Sequence, residues 1–405
     1  MPYADLDYQL TEEQKAMRDM VRRFGAEVVR PAGIELDNLA DPAEVIAKGS
    51  SLWDVFRKFR KLGLHKRGFS KYFGGMLEDL DPMSGYLITE ELGYADAGLT
   101  ISLGVSGMPF AYCQLSPNPK LQALARAYVE DEEANLIGCW GITEPDHGSD
   151  WGLGGEDPKC APSLRGVLKG DRYIINGQKS AWVSNGTIAT HSTLHVGLDH
   201  ARGMMGQGIA ICPLDLPGIS RGKPLDKIGQ RPLNQGEIFC EEVELPQEYM
   251  IIPDYAKFIG AGGRGGQPPM SGMAVMFGGL AKAALDEALR YARERIQGGV
   301  PIFEHKNIKL KLFEMMMQVE AARSFARRMY LYNAESGAAS MLHSMMGKWL
   351  STETAFKVAS EAIQIFGGNG LSKEYAIEKI FRDARAGMIE DGVNESLALA
   401  VADQM

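Results

Sequence analysis

Hydrophobic positions in the first third of the chain recur at three- and four-residue steps. Thr11 to Gln14 has the form of a capping box, and Met17, Val21 and Phe24 follow at helical spacing, which predicts a helix from about Thr11. Similar patterns cover Ser51 to Leu62, Ser84 to Tyr94 and Lys120 to Glu130, punctuated by Gly and Pro. Beyond about Leu136 the period shortens to that of strands. Arg172 to Ile175, Thr190 to Val196, Gly208 to Cys212 and Glu237 to Leu245 are the predicted strands, with Asn176-Gly177 as a hairpin turn after the first. A glycine-rich stretch from Gly260 to Gly266 then leads into long helical patterns. One stripe runs through Leu312, Met316, Val319, Ala322, Ala326 and Met329, and another from Met341 through Trp349, Phe356 and Ile363 to the Gly367-Gly368 pair. The plan is helix, sheet, helix: an α+β multidomain protein with an N-terminal α-helical domain over residues 1–137, a central β domain over 138–262 and a C-terminal α-helical domain over 263–405.

Composition narrows the class. With 405 residues, 45% of them hydrophobic and 23% charged, the chain can bury more than one core. A net charge of -9 and the lack of a basic run with interleaved aromatics argue against nucleic acid as a partner. Cys113, Cys139, Cys160, Cys212 and Cys240 are scattered and show no CxxC spacing, so neither a disulfide framework nor a thiolate metal site is expected, and a cytoplasmic setting fits. His191, His195, His305 and His343 lack the paired spacing of a metal site. The N-terminal MPYADLDYQLTEEQ carries acids and does not read as a secretory or transit peptide. The most apolar stretch, Met270 to Leu285, is interrupted by Ser271, several glycines and Lys282, and is short of the ~20 residues a membrane span needs.

Four signatures follow one another along this plan: WGITEPDHGSD from Trp140, NGQKSAWVSNG from Asn176, EHK from Glu304 and QIFGGNG from Gln364. In this order they resemble the acyl-CoA dehydrogenase family, over nearly the whole chain from LTEEQ to the final helix. The resemblance implies a β-barrel-like central domain, a C-terminal four-helix bundle, FAD as cofactor, an acyl-CoA substrate, and an electron-transferring flavoprotein as electron acceptor. The TEP and GSD elements place turn hydroxyls and backbone N–H groups beside an apolar wall, which suits a flavin with polar edges on an apolar body. By the resemblance, Trp140, Ile142, Thr143 and Ser149 line one side of the flavin, while Trp182 and Ser184 cover its dimethylbenzene side and N5. Outside this motif, two tryptophans would read as core packing. Arg295, Gln297, Gln364, Gly367 and Gly368 match positions that hold the diphosphate and adenine of a neighbouring subunit's cofactor, as does His305 beside Lys306, which implies a homo-oligomer, typically a tetramer. An arginine fork and a glycine pair suit an anion, although a surface salt bridge is the ordinary use of such an arginine. The family's RxxFGRP segment is RIQGGVP here, with Gly298 and Val300 replacing an aromatic and an arginine.

In the family, the glutamate of a YEGT segment removes the α-proton while the β-hydrogen leaves as hydride to flavin N5. Counting through EYAIEKIFRDARAGM places that segment on Glu390, Asp391, Gly392 and Val393, so Asp391 stands where the glutamate would be. A buried carboxylate with a raised pKa can act as the base. The side chain is one methylene shorter, and an offset of about 1 Å can cost on the order of a hundredfold in rate, which points to an uncommon substrate such as a cyclic, branched or aryl-substituted acyl-CoA. Glu390 is the competing base. The position of the base used by other subgroups is Pro269, and the following residue, often arginine, is Met270, which argues against dicarboxylic substrates. Ser149 and Gly392 are expected beside the substrate. Asp96 would be either a second carboxylate facing a cyclic substrate or a helix N-cap, and His147 would reach substrate or flavin phosphate or face solvent. Two other readings stand beside the dehydrogenase. A nitroalkane-oxidase-like flavoenzyme also uses aspartate, but DGVNESLA lacks the arginine expected after it. A non-catalytic member serving binding or assembly is the third reading.

Overall fold

The computed structural model describes residues 9–152, 155–260 and 268–405. Its N-terminal part is helical: α1 (Glu12–Phe24), α2 (Arg30–Asp37), α3 (Pro42–Val45), α4 (Ser51–Lys61), α5 (Pro82–Ala95), α6 (Ala97–Val105), α7 (Met108–Cys113) and α8 (Pro119–Glu130). The expected capping box is present, with Thr11 Oγ1 accepting from Gln14 N and Gln14 Oε1 from Thr11 N.

The central part forms strands β1 (Gly138–Gly141), β2 (Arg165–Lys169), β3 (Arg172–Lys179), β4 (His191–Gly197), β5 (Gln207–Pro213), β6 (Ile219–Arg221), β7 (Ile238–Pro246) and β8 (Met250–Ile252). They make one eight-stranded sheet in the order β6-β7-β3-β2-β4-β5-β8, with β1 pairing parallel to β4. Asn176-Gly177 is not a turn, because β3 runs straight through it, Gly177 lies at φ +132, and the register against β7 slips there as at a bulge. A Cβ at Gly177 would lie 2.6 Å from the Leu164 backbone, so close approach is what this glycine permits. The hairpin instead turns at Gly170-Asp171, between the paired Lys169 and Arg172.

After the short α9 (Tyr255–Gly260), the glycine-rich expectation falls, beyond Gly260, outside the described residues. The chain resumes in α10 (Pro269–Glu294), the β9–β10 hairpin (Ile296–Gln297, Val300–Pro301), α11 (Lys306–Glu335), α12 (Met341–Phe366), α13 (Ala376–Gly387) and α14 (Asn394–Ala402). Helices α10 to α13 pack around a core that includes Phe277, Leu280, Leu285, Leu312, Val319, Val358 and Ile377. Helix α5 crosses α10 so closely that a Cβ on Gly93 would sit 2.2 Å from Met276 O, and one on Gly279 2.2 Å from Glu90 O. The buried Arg323–Glu90 pair, at 2.7 Å, ties α11 to the same helix. Among the described residues no helix is long and apolar enough to cross a membrane.

Candidate active site

Three polypeptide segments far apart in sequence meet around Asp391. The first is the turn that follows β1. Thr143 O accepts from Ser180 N at 2.9 Å, and Glu144 and His147 exchange backbone hydrogen bonds. Beneath the turn, the Glu144 carboxylate and the Lys179 ammonium pair at 2.7 Å with both side chains fully buried. Glu144 also accepts from Ser163 N and Leu164 N at 2.5 and 3.2 Å, and Lys179 reaches Ile142 O at 3.2 Å. This pair holds the backbone that presents Ile142, Thr143 and Ser149. His147 does not face solvent: its Nδ1 lies 2.7 Å from Asp150 Oδ2, while Asp150 Oδ1 accepts from Gly148 N, so it serves the turn. Trp140 donates from Nε1 to His195 Nε2 at 2.9 Å. An indole N–H can only donate, so His195 carries its proton on Nδ1 and gives it to Gln207 Oε1 at 2.7 Å.

The second segment is the loop between α13 and α14. Asp391 adopts a left-handed backbone, φ +54, a region that aspartate tolerates better than most residues, and Gly392 follows at φ +98. Contacts from all sides fix this loop. Gln230 Nε2 donates to Glu390 Oε1 at 2.6 Å, Lys348 Nζ to Gly392 O at 2.7 Å, and Val393 N to Ser149 Oγ at 3.0 Å. Lys348 also donates to Asn394 Oδ1 at 2.8 Å, and Asn394 N closes the loop on Met388 O. Among the described residues the Asp391 carboxylate itself accepts no hydrogen bond. Burial raises Asp391 above the usual carboxylate range, opposed by the Lys348 ammonium. Burial also brings Lys348 down to about 8, with Asp391 pulling it back up.

Glu390 is pushed up to about 7, first by burial and then, against the Gln230 hydrogen bond, by the neighbouring Asp391 charge. The unfolded chain therefore releases this proton near the ordinary value of 4.5, while the folded chain keeps it to about 7. Stability carried by Glu390 falls as pH rises through that window. Glu390→Gln cannot ionise, so its melting temperature relative to wild type is expected to climb between pH 4.5 and pH 7 and then level off. Thermal melts across the window check this, and a pH-independent difference would contradict it.

The third segment precedes β7. Gln235 Nε2 donates to Trp182 O and Ser184 Oγ at 3.1 and 3.2 Å. Trp182 is a large aromatic left 58% exposed. Gln230, Gln235 and Lys348 carry no sequence signature, and only their contacts reveal them.

Asp96 takes the N-cap alternative. Its Oδ1 accepts from Leu99 N, its Oδ2 pairs with Lys379 at 2.6 Å, and it is 3% exposed. With both oxygens engaged, the expectation of a second carboxylate facing substrate is replaced by a structural role. Lys379 in turn pairs with Asp383, which accepts from Gln230 N, so the same buried network reaches the Glu390 contact.

The other expected cofactor residues gather elsewhere. Arg295, Gln297, His305, Gln364, Gly367 and Gly368 line one cavity of ≈ 500 Å³. The Arg295 guanidinium has no carboxylate partner among the described residues, and His305 holds the hairpin through Gln297 O at 3.0 Å. Gln364 lies sixteen residues beyond Lys348 on α12, roughly 24 Å at 1.5 Å per residue, so this cavity is well separated along the helix from the Asp391 loop.

Sequence models of three domains match the chain in order. These are acyl-CoA dehydrogenase N-terminal domain over residues 11–116, middle domain over 139–243 and C-terminal domain over 271–405. The probable acyl-CoA dehydrogenase YngJ of Bacillus subtilis (strain 168) is 31% identical, with 99% of this chain and 100% of that protein covered. The cyclohex-1-ene-1-carbonyl-CoA dehydrogenase of Syntrophus aciditrophicus (strain SB) is 30% identical over 96% of this chain and 88% of its own length. The structure of butyryl-CoA dehydrogenase from Megasphaera elsdenii superimposes with a TM-score of 0.84 at 26% identity, covering 98% of this chain and 99% of that one. Matched in order by the three domains of one enzyme and along almost its whole length by single relatives, the chain belongs to the acyl-CoA dehydrogenase family of FAD-dependent enzymes.

Proposed function

We propose that Asp391 is the base of an α,β-dehydrogenation of an acyl-CoA thioester, taking the α-proton. The observation that carries this reading is the 3.0 Å bond from Val393 N to Ser149 Oγ, which rests the Asp391 loop on the turn assigned to the flavin. A carboxylate with a raised pKa, no hydrogen bond of its own among the described residues and a backbone held by its neighbours is organised to accept a proton.

FAD fits the residues present. Trp182 offers an exposed aromatic face, Ser184 and Thr143 offer hydroxyls, and Arg295 is a guanidinium without a carboxylate partner among the described residues, beside the open backbone of Gly367 and Gly368. When bound, FAD accepts the hydride from the β-carbon. Trp140, Ile142, Thr143, Ser149, Trp182 and Ser184 would hold its ring, and Ser149 and Gly392 would also border the substrate. Arg295, Gln297, His305, Gln364, Gly367 and Gly368 would hold the diphosphate and adenine end of a partner subunit's cofactor. The roughly 24 Å along α12 from Lys348, which holds the Asp391 loop, to Gln364 supports this division. The proposed assembly is a homotetramer, further supported by Leu310, Phe313 and Met317, an exposed apolar stripe on α11; a monomeric mass in solution would count against it.

For the acyl group, similarity to a cyclohex-1-ene-1-carbonyl-CoA dehydrogenase and the short reach of Asp391 favour cyclic or branched acids over straight chains. An electron-transferring flavoprotein is the proposed acceptor. The test is anaerobic titration of the yellow protein with linear, branched, alicyclic and aryl acyl-CoAs, following flavin absorbance. Bleaching by alicyclic or branched thioesters at the lowest concentrations is expected, and failure of every thioester would sink the assignment.

A further inference from the structure

Lys227 Nζ donates to Gln235 Oε1 at 2.7 Å and to Leu233 O at 2.8 Å. An ammonium only donates, so the atom of Gln235 facing it must be the carbonyl oxygen. At its other end the Gln235 amide meets Trp182 O, which only accepts, so that end must be the NH₂ group. These two constraints fix an orientation that is otherwise open to a flip. The same NH₂ group donates to Ser184 Oγ at 3.2 Å, which makes the serine oxygen the acceptor and leaves its O–H to point elsewhere. Among the described residues nothing accepts that hydrogen.

We propose that Lys227 and Gln235 are positioning residues that fix the polarity of the Ser184 hydroxyl, so that it serves as a hydrogen-bond donor toward the bound cofactor. The proposal rests on the reading above that Ser184 contacts the flavin, and adds two residues that do not touch it. Burial lowers Lys227 to about 8, with Glu390 the largest opposing influence, so it remains a charged donor at neutral pH. Its strand of contacts is local: Ser184 and Gln235 also form an isolated β-bridge, which holds the two side chains in register.

The decisive variant is Gln235→Glu, which keeps the shape and still pairs with Lys227 but presents an acceptor to Ser184. The hydroxyl then turns its hydrogen inward and the cofactor loses a donor. Holoenzymes of wild type, Ser184→Ala, Gln235→Glu, Lys227→Met and the double variant Ser184→Ala with Gln235→Glu are compared by the visible spectrum of the bound oxidised flavin and by anaerobic reduction with the best acyl-CoA.

Ser184→Ala is expected to shift the flavin band and slow reduction by about 2- to 12-fold, the worth of one hydrogen bond. Gln235→Glu should shift the band in the same direction and by a similar amount, Lys227→Met should fall between it and wild type, and the double variant should add nothing to Ser184→Ala. If Ser184→Ala shifts the band while Gln235→Glu and Lys227→Met match wild type, the positioning role is overturned and the dehydrogenase reading stands. If Ser184→Ala is silent in an enzyme that acyl-CoA still bleaches, the Ser184 contact and this proposal both fall. A wild-type protein that takes up FAD yet answers to no thioester removes the dehydrogenase reading alone, because the spectral comparison still reports the hydroxyl.

Discussion

Asp391→Asn is expected to lose reduction of its flavin by acyl-CoA by about 10²- to 10⁴-fold, the range for removal of a general base, while keeping its FAD and melting no lower than wild type. The separation of effects follows from the local geometry. The carboxylate accepts no hydrogen bond among the described residues, so an isosteric amide deprives no neighbouring donor of its acceptor. Asparagine also tolerates the left-handed backbone at φ +54, so the loop keeps its path over Lys348 and Ser149. Burial already disfavours the charge on Asp391, so neutralising it does not weaken the fold. Glu390→Gln is the control. Its carboxyl is tied to Gln230 and keeps its proton to about 7, so this variant should reduce within about tenfold of wild type, since at most a hydrogen bond is altered. Stopped-flow reduction of both variants at equal FAD content decides between them. Loss confined to Glu390→Gln would move the base by one residue.

The sequence disclosed the helices more fully than the packing. Thr11 and Gln14 announced α1 because a capping box is a local interaction, complete within four residues. Asn176-Gly177 misled because the same pair serves a hairpin turn or a bulge, and only the approach of Leu164, brought in by the unrecognised strand β2, selects the bulge. On α12 the stripe of Met341, Trp349, Phe356 and Ile363 is only half-buried. The buried face is apolar only in its second half, at Ala355, Val358, Ala359, Ala362 and Ile365; its first half holds Ser344, Gly347, Lys348, Ser351 and Thr352, small or polar residues that let α10 and the Asp391 loop come close. Hydrophobicity cannot find this part of the face, because Lys348 and Thr352 are satisfied by Asn394 and Gly392 from another part of the chain.

The same limit applies to the site. Asp391, Ser149, Trp182 and the Arg295 cluster, the residues proposed for the site, stand out in sequence because they sit in motifs that resemble a family. Gln230 is 160 positions from Glu390, and Lys348 is 44 from Gly392. Nothing in local sequence links such partners, and their roles come from what they hold rather than from what they are. His195 is a case in point: its spacing argued only against a metal, whereas its ring lies between Trp140 and Gln207 in one fixed tautomer.

Lys179→Met is expected to destabilise the central domain by about 3–5 kcal/mol, the penalty for stranding one partner of a buried ion pair. Methionine follows the lysine side chain to all but its terminal nitrogen, so little packing is lost. The loss is electrostatic: Glu144 would keep two backbone donors but no counter-charge, and Ile142 O would lose its Nζ contact. Because Glu144 and Lys179 brace the turn that presents Thr143 and Ser149, FAD should leave at lower denaturant than the level that unfolds the helical domains. Flavin fluorescence and far-ultraviolet circular dichroism followed in one denaturant series separate the two events. Adding Glu144→Gln to Lys179→Met removes the stranded charge and should recover part of the loss, whereas a destabilisation that merely reflected packing would deepen with the second substitution. A Lys179→Met protein that melts and holds FAD like wild type would mean that the turn owes its shape to the backbone bonds alone, and the brace assigned to this pair would have to be given up.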